Sequence, residues 1–581
     1  MSATIPSNRY DLSPCFAVSG HDKDIWTGYE KICQELSRVM CEKRILCVDC
    51  YPGVNDAELL TALKLHFPEA QVIESRSVFY DPDVLTAKIK PHLTDDRVRG
   101  VMFYGQLTDL MDPERLENAR NETRNFSGSL LLIYGFGASL IHPGDVLVYA
   151  DLARWEIQLR YRRGMPNYNC NNSSEEILRK YKRGFFVEWR VADRHKSTLY
   201  NRMDYYLDTN TANDPKMITG TALTDGLRQI VSHPFRLVPY FDPGIWGGQW
   251  MKEHFHLDPS APNYAWSFDG VPEENSLFFS YGGKRIETPA MNLTKYLPRE
   301  FLGEKTFSRF GAEFPIRFDM LDTMGGQNLS LQVHPDTEYI KTHFGMSYTQ
   351  DESYYLLDAE EGSVVYLGLK EGIDPQEMFR ELEIAQTGAR PFDAERFINS
   401  VPAKKHDHFL IPGGTVHCSG KGCMVLEISA TPYIFTFKLW DWDRVDLNGM
   451  PRPIHIEDGK QVIRFNRDTK WVSENLVNRF RTVSKDEDYQ QIHTGLHELE
   501  FIETNLYITA RQAVIRCDGE FSILNLVEGT EAIIQSPDER FEPYTVHYAE
   551  TFILPAAAGD FTISPAKPGE EIRVIRANVR F

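Results

Sequence analysis

The sequence predicts a multidomain protein: an N-terminal α/β domain with a parallel sheet, then mainly-β domains carrying one helical insertion. Three observations predict it. The chain has 581 residues, more than one hydrophobic core organises. Its first 230 or so residues contain short continuous apolar runs alternating with helical stretches, the texture of strands buried on both faces. From Phe235 onward the pattern changes to strands bounded by glycine and proline turns.

The first strand is Arg44-Ile45-Leu46-Cys47-Val48-Asp49-Cys50, which ends in Tyr51-Pro52-Gly53. Asp56 to Leu63 follows as a helix with acids in its first turn, where the helix dipole favours them. Gly100 to Tyr104, Ser129 to Tyr134 and Val146 to Ala150 are further apolar strands. Residues 200–235 read as a connecting segment, so the front domain with its connector spans 1–232. A central β domain spans 233–460. Its insertion lies near 370–400, where Asp374 to Gln386 starts Asp-Pro and has helical apolar spacing. A last β domain spans 461–581.

Hydrophobic residues make up 42% of the chain and aromatics 12%, a composition that builds packed cores. The net charge of -20 argues against general nucleic-acid binding. No apolar run approaches a membrane span, and Met1 to Pro6 shows no signal-peptide pattern. The nine cysteines are scattered and odd in number, as expected of reduced thiols in a cytoplasm. Cys47-Val48-Asp49-Cys50 is a C-x-x-C without a second pair, inside an apolar strand. It reads as buried thiols. After this strand, where a phosphate loop would sit, Asp56 and Ala57 replace the lysine and hydroxyl of G-x-x-x-x-G-K-[ST]. The front domain looks like a nucleotide-kinase fold that has lost its chemistry. Arg160, Arg162 and Arg163 form a basic patch that suits an anion or a plain solvated surface equally.

The chemistry concentrates on Leu329-Ser330-Leu331-Gln332-Val333-His334-Pro335-Asp336. Strand alternation puts Ser330, Gln332 and His334 on one face and the apolar residues on the other. Glu352 follows in a second strand. Pro412-Gly413-Gly414-Thr415-Val416-His417 is a turn that delivers His417 back towards the first strand. Two imidazoles, one carboxylate and one amide oxygen make a mixed N/O site. Such a set suits zinc with an open position, or another divalent ion.

Gln-x-His, then Glu, then Pro-x-Gly-x-x-His is similar to the two-part cupin signature. More narrowly, the chain resembles class I mannose-6-phosphate isomerases over roughly 235–581. The matching stretches are Leu329 to Asp336, Tyr354 to Gly368, Ile411 to Ile428, Trp440 to Asp446 and Pro451 to Ile456, with Ile245-Trp246-Gly247-Gly248 upstream. The resemblance implies a metal-binding cupin (jelly roll) followed by a C-terminal jelly roll without a metal. Tyr548 to Gly559 in that last segment has the shape of the His417 turn but no histidine.

By resemblance, Gln332, His334, Glu352 and His417 hold one Zn2+ per chain. The implied substrate is a small sugar phosphate, mannose 6-phosphate, interconverted with fructose 6-phosphate through an enediol in the cytoplasm. Arg444 and Glu427 are the implied catalytic residues, and Glu427 is the base candidate. Ser330 and Lys438 are implied to contact substrate, Lys438 standing where an arginine is common. Gln350 departs from the family pattern, which has a lysine two residues before the carboxylate ligand. Two alternatives stay open: an isomerase of an unphosphorylated aldose, and a non-catalytic cupin regulator that binds a sugar phosphate.

Overall fold

The computed structural model describes residues 10–430, 433–445 and 454–581. Asp446 and Pro451 to Pro453 of the resembling stretches lie outside them. The chain divides into two compact units, neither continuous in sequence. Cys15–Ile230 and Glu273–Leu297 make one, and Val231–Pro272 with Pro298–Phe581 the body of the other. Tyr10 belongs with the second unit: its hydroxyl donates to Asp269 at 3.0 Å and its ring stacks on Phe255 at 4.0 Å. The units therefore differ from the sequence division at residue 232, because Glu273–Leu297 packs with the α/β part.

The first unit carries a seven-stranded sheet. Strands Gln71–Glu74, Leu131–Gly135, Ile45–Cys50, Val146–Asp151 and Tyr205–Asp208 lie side by side in that order, all parallel. Lys216–Thr219 and Ile25–Thr27 extend it antiparallel. Asn55 caps the helix Asp56–His66, accepting from Glu58 N, as its early acids suggest. Two sequence expectations fail here. Residues 200–235 are not a connector, since they supply two strands and the helix Gly220–Ile230. Val101 to Tyr104 is not a strand. Val101 N donates to His92 O and Phe103 N to Phe186 O, so its backbone groups bond to a helix end and a helix instead of a ladder. The short strand Gln71–Glu74 holds the sheet edge. Cys47 and Cys50 are buried free thiols.

Beyond the carboxyl ends of these strands, where open α/β sheets place their ligands, the helix Trp189–Ser197 fills the space. Lys196 Nζ lies 3.0 Å from Asp151. Asp193 takes Tyr51 Oη at 2.9 Å and is paired with Arg154. Glu273 is held by Arg154 and Arg190. The charges are matched internally.

In the second unit the central part is two antiparallel sheets, of six and five strands. The six-stranded sheet contains Arg317–Asp322, Cys423–Ala430, Asp351–Ala359 and His408–Ile411 as neighbours. The five-stranded sheet contains Ile398–Pro402, Val364–Leu369, His417–Ser419, Leu331–Val333 and Phe437–Trp440. The inserted helix Pro375–Gln386 starts with proline after the cap Asp374. The C-terminal strands form sheets of six and four around one core that includes Leu524, Leu526, Ile534, Phe552 and Phe561. Among the described residues no helix is long and apolar enough to cross a membrane.

Candidate metal centre

Residues opposed in antiparallel register share a face. Gln332 opposes both His417 and Lys438, and His417 opposes Leu367. These side chains therefore point to one side of the five-stranded sheet, with His334 two residues on from Gln332. On the six-stranded sheet Glu352 opposes Ser429, and Tyr354 opposes Glu427. The two inner faces meet where Glu352 reaches the histidines. Its carboxylate lies 3.1 Å from His334 Nε2 and 2.8 Å from His417 Nε2.

The turn that brings His417 in depends on glycine. Gly414 sits at φ +90°, and a Cβ on Gly413 would lie 2.6 Å from Pro335 O. Gly414 N donates to His334 O at 2.7 Å, which ties the turn to the other histidine. Arg467 Nη1 donates to Pro412 O at 2.6 Å and Gly413 O at 2.7 Å, closing the turn from outside.

His334 Nδ1 lies 3.0 Å from Phe435 O, and His417 Nδ1 lies 2.9 Å from Thr415 O. Carbonyls only accept, so the network assigns the proton of each ring to Nδ1 and leaves each Nε2 a lone pair facing the centre. His334 Nε2 and Glu352 Oε1 are buried and have no hydrogen-bond partner. The ligand atoms of His334, Glu352 and His417 all lie within 4.8 Å of one another. Burial opposes ionisation of Glu352, but the positive charge of the two imidazoles when they are protonated outweighs it and holds the carboxyl well below its ordinary range; a cation bound between neutral rings would act in the same direction. Burial also lowers His417, against the pull of Glu352. An ionised carboxylate and neutral imidazoles are the states that bind a metal. These residues fit a divalent ion. Gln332 turns its amide nitrogen to His417 Nε2 at 3.2 Å. A half-turn of the amide would present its oxygen, and such assignments rest on the network alone.

Gln350 is buried, and its amide nitrogen donates to Glu352 Oε2 at 3.1 Å. Its oxygen accepts from Phe435 N at 3.0 Å. Since Phe435 O receives His334 Nδ1, one loop of hydrogen bonds runs from Glu352 through Gln350 and Phe435 to His334. Glu427 faces the same interior. Burial first, then the like charges of Glu352 and Asp319, push its carboxyl well above the ordinary value. Ser330 Oγ donates to Gln332 Oε1 at 3.3 Å, so it steadies the Gln332 amide. Lys438 stands beside Gln332 on the inner face.

The structure does not bring Arg444 to this group. Tyr366 opposes Cys418, on the face away from His417, and Trp442 packs on Tyr366 with ring centroids 5.5 Å apart. Arg444 comes after Trp442 on that outer side. Its Nη2 is 2.8 Å from Asp441 and its Nη1 donates to Asn328 O at 2.7 Å. A register shift between Leu331 and Gln332 separates Lys438, inside, from Trp440, Trp442 and Arg444. Sequence reading also passed over Arg317, Asp319 and Tyr354. Arg317 and Asp319 oppose Ser429 and Glu427. The Tyr354 ring lies 5.8 Å from that of His417. Charged residues two apart in Arg317-Phe318-Asp319-Met320 were the available signal.

Comparison with known proteins divides the chain in two. Residues 28–232 match a domain of unknown function, DUF8485. The chain is 23% identical over 335 residues to mannose-6-phosphate isomerase ManA of Bacillus subtilis, covering 58% of this chain and 96% of that protein. It is 28% identical over 239 residues to mannose-6-phosphate isomerase of Streptococcus mutans, covering 41% of this chain and 70% of that one. The crystal structure of mannose 6-phosphate isomerase from Bacillus subtilis superposes with a TM-score of 0.48 at 22% identity, over 59% of this chain and 99% of that chain. The sequence matches support a phosphomannose-isomerase-like family for the matched part.

Proposed function

We propose that the chain is a metal-dependent aldose–ketose isomerase that interconverts mannose 6-phosphate and fructose 6-phosphate. The observation that carries the reading is the buried set of lone-pair atoms of His334, Glu352 and His417, all within 4.8 Å of one another, with no hydrogen bond made by His334 Nε2 or Glu352 Oε1. A buried cluster of this kind leaves polar groups unsatisfied unless something binds there. The relatives named above supply the substrate.

Gln332, His334, Glu352 and His417 would hold the ion. When bound, a divalent ion supplies Lewis-acid stabilisation of a developing oxyanion. The remaining work belongs to the chain. The carbonyls of Phe435 and Thr415 fix the orientation of both imidazoles. Glu427, whose carboxyl is raised by burial and by the like charges of Glu352 and Asp319, moves the proton between C2 and C1 through an enediol. Lys438 is placed beside the reacting end of the sugar, and Ser330 holds Gln332. The β wall excludes bulk water from Glu427 and the histidines, which strengthens each of these interactions.

A coupled assay with mannose 6-phosphate, before and after chelation and then after re-addition of Zn2+, tests the reading. A second reading, an isomerase of a neutral aldose, is favoured by one observation. Gln350 contributes no charge, and both ends of its amide are engaged by Glu352 and Phe435 N. Turnover of mannose in preference to its phosphate would select it.

A further inference from the structure

We infer that Arg317 holds the anionic end of the substrate and so sets the preference for a phosphorylated sugar. This rests on the isomerase reading above. Arg317 opens the strand Arg317–Asp322. It opposes Ser429, and Ser429 opposes Glu352. The three side chains thus form one row across three adjacent strands. Two strand spacings put Arg317 about 10 Å from Glu352 along the inner wall. A hexose phosphate held with its C1–C2 end beside Glu352 extends that far.

Depth along the wall agrees. Asp319, Glu427 and Tyr354 form the next row. Glu427 is thus one row further along the strands than Arg317, which lies at the end where its own strand begins. A sugar lying between the rows has its proton-transfer carboxylate on one side and a guanidinium at the other extremity. Arg317 is largely buried and pairs with Asp319 at 3.3 Å through Nη2, so its orientation is set before a ligand arrives. Of the strand residues the register places on these inner faces, the cations are Lys438 and Arg317. Lys438 stands beside the ligand Gln332, at the reacting end. Gln350 is neutral and Arg444 lies on the outer side. Guanidinium presents a planar fork of donors that matches phosphate oxygens.

The test compares kcat/KM for mannose 6-phosphate and for mannose in the full chain. The proteins are wild type, Arg317→Lys, Arg317→Met and the double variant Arg317→Met with Asp319→Asn. The double variant removes Asp319's charge together with its partner, so no Asp319 carboxylate is left buried without Arg317 and a folding defect is less of a confounder. Arg317→Met and the double variant should each lose about tenfold or more with the phosphate, mainly through KM, and the ratio of kcat/KM for the phosphate to that for mannose should fall with it, whatever common change in kcat follows from altering the charges beside Glu427. Arg317→Lys should recover part of the loss. Metal content should not change. Inorganic phosphate binding, followed by calorimetry, should weaken by a similar factor. Equal losses for both sugars in the double variant, or no loss for either, would overturn the role of Arg317. A wild type that turns over neither sugar would instead overturn the isomerase reading. In that case loss of phosphate binding in Arg317→Met would sustain the assignment of Arg317, and unaltered binding would refute it.

Discussion

Gln350 donates its amide hydrogen to Glu352 Oε2 at 3.1 Å while its carbonyl accepts from the backbone of Phe435 at 3.0 Å. The residue that departs from the family pattern therefore works as a strut between a ligand carboxylate and the segment that orients His334. Replacing Gln350 by leucine removes both bonds and should weaken metal binding about 10–100-fold, read by competition with a chromophoric chelator. Gln350→Lys keeps a donor for Glu352 but leaves the buried Phe435 N–H without an acceptor. That loss should cost about 1–3 kcal/mol of stability, read by denaturant unfolding. Unchanged metal affinity in Gln350→Leu would show that the strut is incidental.

Glu427 is the proposed proton carrier, opposed in register by Tyr354 on one side and Asp319 on the other. Glu427→Gln preserves volume and hydrogen bonding but cannot accept a proton from carbon. It should lower kcat by about 100-fold or more with metal content and KM little altered. Retention of more than a tenth of wild-type kcat would move the base elsewhere.

The grouping of His334 and His417 with Glu352 was legible in part because some of its logic is local. Period-two alternation groups Gln332 with His334, and a glycine turn returns His417. Long-range register was not legible. Arg317 and Asp319 sit on the inner wall only because Arg317 opposes Ser429 and Asp319 opposes Glu427, a pairing across about a hundred positions that no window of sequence reveals. The pairing of Arg444 with Asp441 and Asn328 O was not legible for a related reason, since the register shift at Leu331 and Gln332 is a long-range feature. In the α/β unit, Val101 to Tyr104 is as apolar as a strand, and hydrophobicity alone does not say what its backbone bonds to. The partnership of Glu273–Leu297 with that unit is likewise a contact between distant segments.

That partnership has a practical consequence. Leu277, Phe279 and Tyr281 are buried, and Cys15–Ala17 pairs with their strand. Tyr281 Oη donates to Ala222 O at 3.0 Å. A chain starting at residue 233 keeps the strand and loses these partners, so it should be mostly insoluble, unlike the full chain. Recovery of a soluble, monodisperse protein in yield equal to the full chain would contradict the packing described. The full chain should show no ATP hydrolysis above background, since the phosphate-loop lysine and hydroxyl are missing.

Burial holds the His408 imidazole to about 3, far below its ordinary value near 6.5. The folded form binds the proton less readily than the unfolded chain. Stability from this group is therefore complete above the unfolded value and is lost as pH falls from there towards 3. The loss amounts to about 1.4 kcal/mol for each pH unit in that window. Urea unfolding between pH 7 and 4 should show this slope, and His408→Asn should flatten it while lowering stability at pH 7. An equal slope in the variant would assign the acid sensitivity to other groups.

The proposed chemistry depends on a divalent ion bound by His334, Glu352, His417 and Gln332, and metal content measured against turnover tests it most directly. Purified protein should carry about one divalent ion per chain and isomerise mannose 6-phosphate. Chelation should abolish both, and Zn2+ should restore both. His334→Ala and His417→Ala should lack the ion and the activity, because a three-ligand remnant holds a metal weakly. Full isomerase activity in demonstrably metal-free protein would contradict the role given to the ion.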